Sequence, residues 1–129
     1  MAAFPLLAIV VVLFNALAFF APGLIEAPLV DAILPSGAGF LVRYADALVG
    51  LGLVLLFLEI AKATRTSGAA VVDHALSMVV FVVCLVELLL VKEVASAAFA
   101  LLTLMTMIDV IAGFTVTIAG ARRDFGVER

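Results

Sequence analysis

The sequence predicts an all-α membrane protein, a four-helix transmembrane bundle of up-down-up-down topology with a short interfacial helix between the first and second spans. Hydrophobic residues make up 67% of the 129 residues and charged residues 13%, whereas soluble domains are about half apolar and about a quarter charged. The apolar residues form four runs, each close to the roughly 20 residues that cross a hydrocarbon layer of about 30 Å. We therefore interpret residues 1–129 as a single integral-membrane domain.

Helix-breaking residues divide the chain into its predicted spans. The first span ends at "APG", because Pro22 and Gly23 interrupt helices. In the connection that follows, Pro28 suits the first turn of a helix and Pro35 would end it, so we predict a short helix that lies on the membrane surface. A re-entrant segment is the alternative for this connection. The predicted spans are residues 4–21, 41–61, 69–91 and 94–120, followed by a cytoplasmic tail at residues 121–129.

The distribution of basic residues predicts the orientation. Five lie in the second connection and the tail, namely Lys62, Arg65, Arg122, Arg123 and Arg129, and two lie on the other side, Arg43 and Lys92. Because cytoplasmic segments are enriched in lysine and arginine, both termini are predicted to be cytoplasmic. Ala16 and Ala18 have the spacing of a signal-peptidase site, and cleavage there would leave three spans. Residues 1–5, however, contain no basic residue to form the usual start of a signal peptide.

Polar residues in the third and fourth spans fall on one face of each helix. At 100° per residue, the third span collects Asp73, Ser77, Cys84 and Glu87, and the fourth collects Thr106, Asp109, Gly113 and Thr117. The connection between these spans is short, so the helices must be antiparallel neighbours. We expect the two stripes to face each other, with Gly113 and Thr117 allowing close packing of the helices in lipid.

Asp109 lies near the middle of the fourth span. Facing lipid would cost this residue about 2.5 to 3.5 kcal/mol, so we expect it to point inward and to bond with Ser77, Thr106 or Asn15. An ionisable residue in a span is a functional hypothesis by default, since proton relays need one. The alternative is a structural hydrogen bond that fixes helix packing. We expect Glu87 to reach the membrane interface or Lys92.

The candidate site is therefore a set of polar residues that carry a proton or form the core of the bundle. Its members are Asp109, Glu87, Asp73, Ser77 and Thr106. We interpret His74 as a packing or capping residue, since one histidine cannot ligate a haem from both sides. Cys84 is interpreted as a buried hydrophobe, and no cofactor, metal site or nucleic-acid partner is predicted.

Two functions are compatible with this pattern, and neither is enzymatic. The first is a structural or accessory component of a membrane assembly, with the lipid bilayer, further copies of the chain or other membrane proteins as partners. The alternative is a small oligomeric proton-coupled transporter or channel that uses Asp109 with Glu87. The chain resembles small multidrug-resistance transporters only in size and number of spans, because Asn15, which cannot release a proton, is the polar residue of its first span.

Residues 59–127 carry a closer resemblance. The segments "DHALS" and "MIDVIAGFTVTIAGARRDFGV" resemble a family of small, uncharacterised four-span inner-membrane proteins of bacteria. The resemblance implies a four-helix fold and a location in the bacterial inner membrane. It implies no activity.

Overall fold

The computed structural model describes residues 4–64 and 68–127. Arg65 and Arg129, which enter the orientation argument, lie outside these residues. The described chain is mostly helical and contains one hairpin. In chain order its elements are α1 (Leu7–Phe20), α2 (Pro22–Ile25), β1 (Pro28–Ile33), β2 (Gly39–Arg43), α3 (Tyr44–Ala63), α4 (Gly68–Leu90) and α5 (Ala97–Val127).

Three of the described helices are long and apolar enough to cross a membrane, whereas four were predicted. They cover Tyr44–Ala63, Val71–Leu90 and Ala97–Arg122. The predicted first span is shorter than expected, because α1 has 14 residues and is therefore about 21 Å long. Ala21 leaves the helical conformation, with φ −145° and ψ 59°, and Pro22 then begins α2 as a separate turn of helix.

The prediction of an interfacial helix between the first two spans is wrong, because this segment is an antiparallel β-hairpin. Pro35 and Ser36 lie in its turn, and Gly37 has a φ of +88°, which favours glycine. Val30 pairs with Val42 across the strands, and such β-branched residues favour extended chain. The two prolines on which the helix prediction depended, Pro28 and Pro35, are equally compatible with the start of a strand and with a turn.

The fifth helix holds the long helices together. It packs against both α3 and α4, while α1 packs mainly against α3 and also against α4. The helices α3 and α4 lie diagonally opposite each other and have few contacts. The core is apolar at the α1–α5 crossing, where the rings of Phe14 and Phe99 lie 5.2 Å apart.

Gly52 lets α3 and α5 approach closely. A Cβ atom at this position would lie 2.8 Å from Leu102 Cδ2 and 2.9 Å from Met105 Sδ, and both of these side chains are buried. Gly50, two residues earlier, faces open space. The pair therefore offers a matched test of helix packing.

We expect Gly52→Val to lower the free energy of unfolding by about 1 to 3 kcal/mol, because the added methyl groups overpack the α3–α5 contact. Thermal unfolding in detergent, followed by circular dichroism, measures the effect. The control is Gly50→Val, which makes the same change in open space and should leave the midpoint close to that of the wild type. Equal shifts for the two variants would show that this contact does not limit stability.

Candidate functional site

An ion-pair network joins three segments at one end of the helices. The Lys62 ammonium lies 2.9 Å from Glu59 Oε1 and 3.3 Å from Asp73 Oδ1, and it donates to the Phe4 carbonyl at 2.6 Å. The Leu6 N–H donates to Glu59 Oε1 at 2.8 Å. The Glu59 side chain is only 2% exposed. The network thus fastens the start of α1, the end of α3 and the beginning of α4 to one another.

Asp109 lies next to this network, in the interior between the packed helices. It is 6% exposed, and the Ser77 hydroxyl lies within hydrogen-bonding range of its carboxyl group. The charges of Glu59, Asp73 and Lys62 also act on this carboxyl group. With Asp109, this region therefore holds three carboxyl groups and one ammonium. Full ionisation would leave a surplus of negative charge in a poorly solvated interior, and binding a proton relieves that cost.

A second polar contact lies toward the other end of α4. Asn15 Nδ2 donates to Glu87 Oε1 at 3.2 Å and to the Val11 carbonyl at 3.0 Å. We expected Glu87 to reach the interface or Lys92, and this was wrong, because Glu87 points to α1 while Lys92 is exposed. An amide that bonds to a carboxyl group between helices avoids leaving either group unsatisfied in an apolar surrounding.

Cys84 and Thr106 connect the two polar contacts. The Cys84 side chain is fully buried, and it lies against the Thr106 hydroxyl and near Glu87. The Thr106 hydroxyl donates to the Thr103 carbonyl at 2.6 Å. Of the three partners predicted for Asp109, Ser77 is therefore the one beside it, while Asn15 and Thr106 bond elsewhere.

Together these groups form a polar column through the helices. In order they are Lys62, Glu59, Asp73, Ser77, Asp109, Thr106, Cys84, Glu87 and Asn15. On α4, Asp73 and Glu87 are 14 positions apart, or about 21 Å along the helix. Asp109 and Thr106 are three residues apart on α5, so neighbouring polar groups of the column are about one helical turn apart. The column extends over roughly two-thirds of a hydrocarbon layer of about 30 Å.

His74 lies at the side of this column. Its imidazole packs directly on Gly113, where a Cβ atom would overlap the ring, and it meets Phe114 edge-on at 4.8 Å. The Nε2 atom is buried and has no hydrogen-bond partner among the described residues. Gly113 therefore creates the space that holds the histidine.

A groove of about 410 Å³ opens beside the imidazole, between α4 and α5. It is lined by Val71, His74, Ala75, Met78, Phe114 and Thr117. Thr117 is exposed, so it borders the groove and does not lie at the closest contact of the two helices. Gly113 does lie at that contact, where it is buried against His74.

The helical repeat placed six members of the column on two stripes, and the structure brings these stripes together. The connection of Glu59 and Lys62 with Asp109 was not predicted from the sequence. Their spacing of three residues predicts a local pair, but the contacts with Asp73 and with the start of α1 depend on tertiary packing. The partnership of Asn15 with Glu87 also left no signal, because the two residues are 72 positions apart.

No group of three or more histidine, cysteine, aspartate or glutamate residues could hold a metal ion in the part of the chain that the structure describes. What the column offers is a series of hydroxyl, thiol, amide and carboxyl groups that can exchange protons or join helices. Comparison of the chain with known protein families, curated proteins and solved structures finds no match.

Proposed function

We propose that this protein is a small proton-coupled carrier or channel of the bacterial inner membrane, in which Asp109 binds and releases the transported proton. The observation that carries the proposal is the polar column, with Asp109 near its middle. A purely structural cross-link needs one polar contact between two helices. A series of polar groups about one turn apart, with carboxyl groups toward both ends and Asp109 between them, is in addition the arrangement that a proton path requires.

Asp109 is the acid in the column that can change protonation at the lowest cost to the fold. Glu59 and Asp73 are both held by Lys62, and Glu87 is held by Asn15. Among the described residues, the hydrogen-bonding group beside Asp109 is the Ser77 hydroxyl, and a hydroxyl can bond to either protonation state of a carboxyl group. The proton can therefore enter or leave without breaking an ion pair.

The membrane arrangement that we propose has four crossings and places both termini in the cytoplasm. In this arrangement α1 crosses as a short fourth helix, with its buried face on α3 and α4 and exposed apolar residues such as Val12 and Phe20 toward lipid. Its 14 residues match the hydrocarbon layer if the membrane thins locally or if α2 continues the crossing. Lys62 then lies at the cytoplasmic end and the hairpin at the opposite surface.

Cysteine labelling of intact cells tests this orientation. We expect a membrane-impermeant maleimide to label a Ser36→Cys variant in the hairpin turn and to leave a Thr64→Cys variant unlabelled until the cells are opened. Both positions are exposed, whereas the native Cys84 is fully buried and should give no background. Labelling at position 64 alone would reverse the orientation, and labelling at both positions in intact cells would contradict a crossing of α3, which separates the two positions.

Proton uptake by liposomes tests the function. Purified protein is reconstituted into liposomes that contain potassium and a pH-sensitive dye, and valinomycin then sets an inside-negative potential. We expect the interior to acidify faster than in protein-free liposomes, in proportion to the amount of protein. A Thr115→Val variant is a suitable control, because Thr115 is exposed and its hydroxyl bonds only to its own helix, at the Ile111 carbonyl. Acidification at the protein-free rate would overturn the proposal.

The second candidate function is an accessory component of a larger membrane assembly, and the hairpin favours it. Its apolar side chains are exposed on both faces, in particular Leu29, Val30, Ile33, Phe40 and Leu41. A two-stranded hairpin is marginally stable by itself, so lipid or a partner has to cover it. Native mass spectrometry after mild detergent extraction distinguishes the two candidates. A defined complex with other subunits would support the accessory role, whereas a homo-oligomer alone would favour the carrier.

A further inference from the structure

We infer that His74 exchanges protons with Asp109 and connects it to the groove between α4 and α5. The inference rests on the proton-carrying function proposed above and extends it by naming the group through which the proton enters. In the exchange, the imidazolium loses a proton at a ring nitrogen and a carboxylate oxygen of Asp109 gains it. The imidazole becomes neutral, the acid becomes neutral, and no other reactant is needed.

The first observation in support of this exchange is the position of the imidazole. It rests on Gly113, which follows Asp109 by four residues on α5, or about 6 Å along the helix axis. On α4, His74 precedes Ser77 by three residues, and Ser77 is the hydrogen-bond partner of Asp109. Both helices thus place the imidazole one turn from the carboxyl group. Residues at this spacing share a helix face, and one water molecule can connect groups that far apart.

The second observation is that a ring nitrogen of His74 has no hydrogen-bond partner among the described residues. A buried polar atom in a folded protein normally has a partner, and each exception calls for an explanation. His74 Nε2 is buried without one among the described residues. If His74 served packing alone, an apolar ring would fill the same space without this cost. A nitrogen kept free to accept a proton explains why the position holds an imidazole.

The third observation is that the imidazole can be reached from outside the helices through the groove. His74 also lines the groove of about 410 Å³, and it lies six residues after Gly68, where α4 begins. The imidazole is therefore within about two turns of the start of α4, at the same end as Lys62. The groove gives the ring a connection to the outside at that end, while Asp109 lies deeper.

The charged groups around the ring fit this role. Asp73 precedes His74 on α4, and α5 contributes Asp109. From α3, Lys62 pairs with Glu59 and Asp73, and the charges of Lys62 and Glu59 act on Asp109. An imidazole can both bind and release a proton, so it is a suitable partner for exchange with a carboxyl group.

The liposome assay with His74 variants tests the inference. His74→Phe keeps an aromatic ring on Gly113 and against Phe114 but cannot bind a proton. We expect it to fold like the wild type and to transfer protons about a hundredfold more slowly, the lower end of what a positioned proton-transfer group contributes. In His74→Ala, which leaves room beside the groove, we expect imidazole added to the buffer to restore part of the rate. A histidine that served packing alone would not give this rescue.

A second pair of variants keeps the histidine and tests whether the position of its ring matters. Gly113→Ala should push the imidazole off α5 and reproduce the loss, whereas Gly120→Ala, made on the same helix in open space, should not. If Asp109→Asn abolishes transfer while both His74 variants keep the wild-type rate and pH profile, the inference about His74 is wrong and the proposed function stands. If Asp109→Asn also keeps the wild-type rate, the proposed function itself fails.

Discussion

Asp109→Asn is expected to leave the protein folded and abundant but to reduce proton transfer to the rate of protein-free liposomes, a loss of more than about a hundredfold. The amide has nearly the shape of the carboxyl group and can still bond to Ser77, so the contact between α4 and α5 remains. It cannot release a proton. Removing one acid also reduces the surplus negative charge around Lys62, so the thermal midpoint should stay the same or rise. Flux and thermal unfolding are measured on one preparation.

Asp109→Leu is the control for this result. It removes the hydrogen bond along with the charge and leaves the buried Ser77 hydroxyl without its partner, which costs about 1 to 3 kcal/mol of stability. We expect lower abundance for the leucine variant and normal abundance for the asparagine variant. Wild-type flux in Asp109→Asn would make the residue a structural hydrogen-bond partner. An equal loss of abundance in both variants would contradict both the carrier and the structural interpretation.

Lys62→Met is expected to be the most destabilising single substitution at the Lys62 end of the helices. It leaves Glu59 and Asp73 buried without their counter-ion, and breaking such a pair from one side costs about 3 to 5 kcal/mol. The lower end of this range applies, because the Lys62 side chain is itself 21% exposed. The substitution also removes the donor to the Phe4 carbonyl. Thermal unfolding in detergent and the amount of protein in the membrane should both fall.

Two further variants identify the cause. Lys92→Met makes the same chemical change at an exposed position, so it should leave stability unaltered. In the double variant Lys62→Met with Glu59→Gln, the acid that the missing ammonium paired with is neutral, and part of the lost stability should return. A double variant no more stable than Lys62→Met would show that the lysine acts through its packing or its bond to Phe4, and that the ion pairs contribute little.

The polar faces of the two last spans could be predicted because they follow from local geometry. The helical repeat fixes which residues share a face, and a short connection makes consecutive helices antiparallel neighbours. These two rules are sufficient to bring Ser77 to the level of Asp109 without knowledge of the other helices. The assignment of Asp109 to the interior follows from the cost of an acid in lipid.

Other features depend on contacts between distant parts of the chain, and the sequence carries no local sign of them. Asn15 could have bonded to any polar group on three other helices, and only the packing of α1 selects Glu87. The hairpin was missed because Pro28 is compatible both with the first turn of a helix and with the first residue of a strand. The first span was predicted too long mainly at its start, because the apolar residues before Leu7 carry no sign that α1 begins only there, whereas its predicted end is one residue past Phe20.

The diagonal placement of α3 and α4 has a consequence for biosynthesis. In the proposed membrane arrangement, helices that insert in chain order bring α3 and α4 into the membrane before α5, the element against which both of them pack. Until α5 inserts, the α4 face that carries Ser77 and Cys84 has no partner from α5, and the α3 surface around Gly52 is uncovered. In that arrangement, an assembly intermediate that lacks α5 would expose these polar groups to lipid. Insertion of α5 would then complete the packing that α1 begins with α3 and α4.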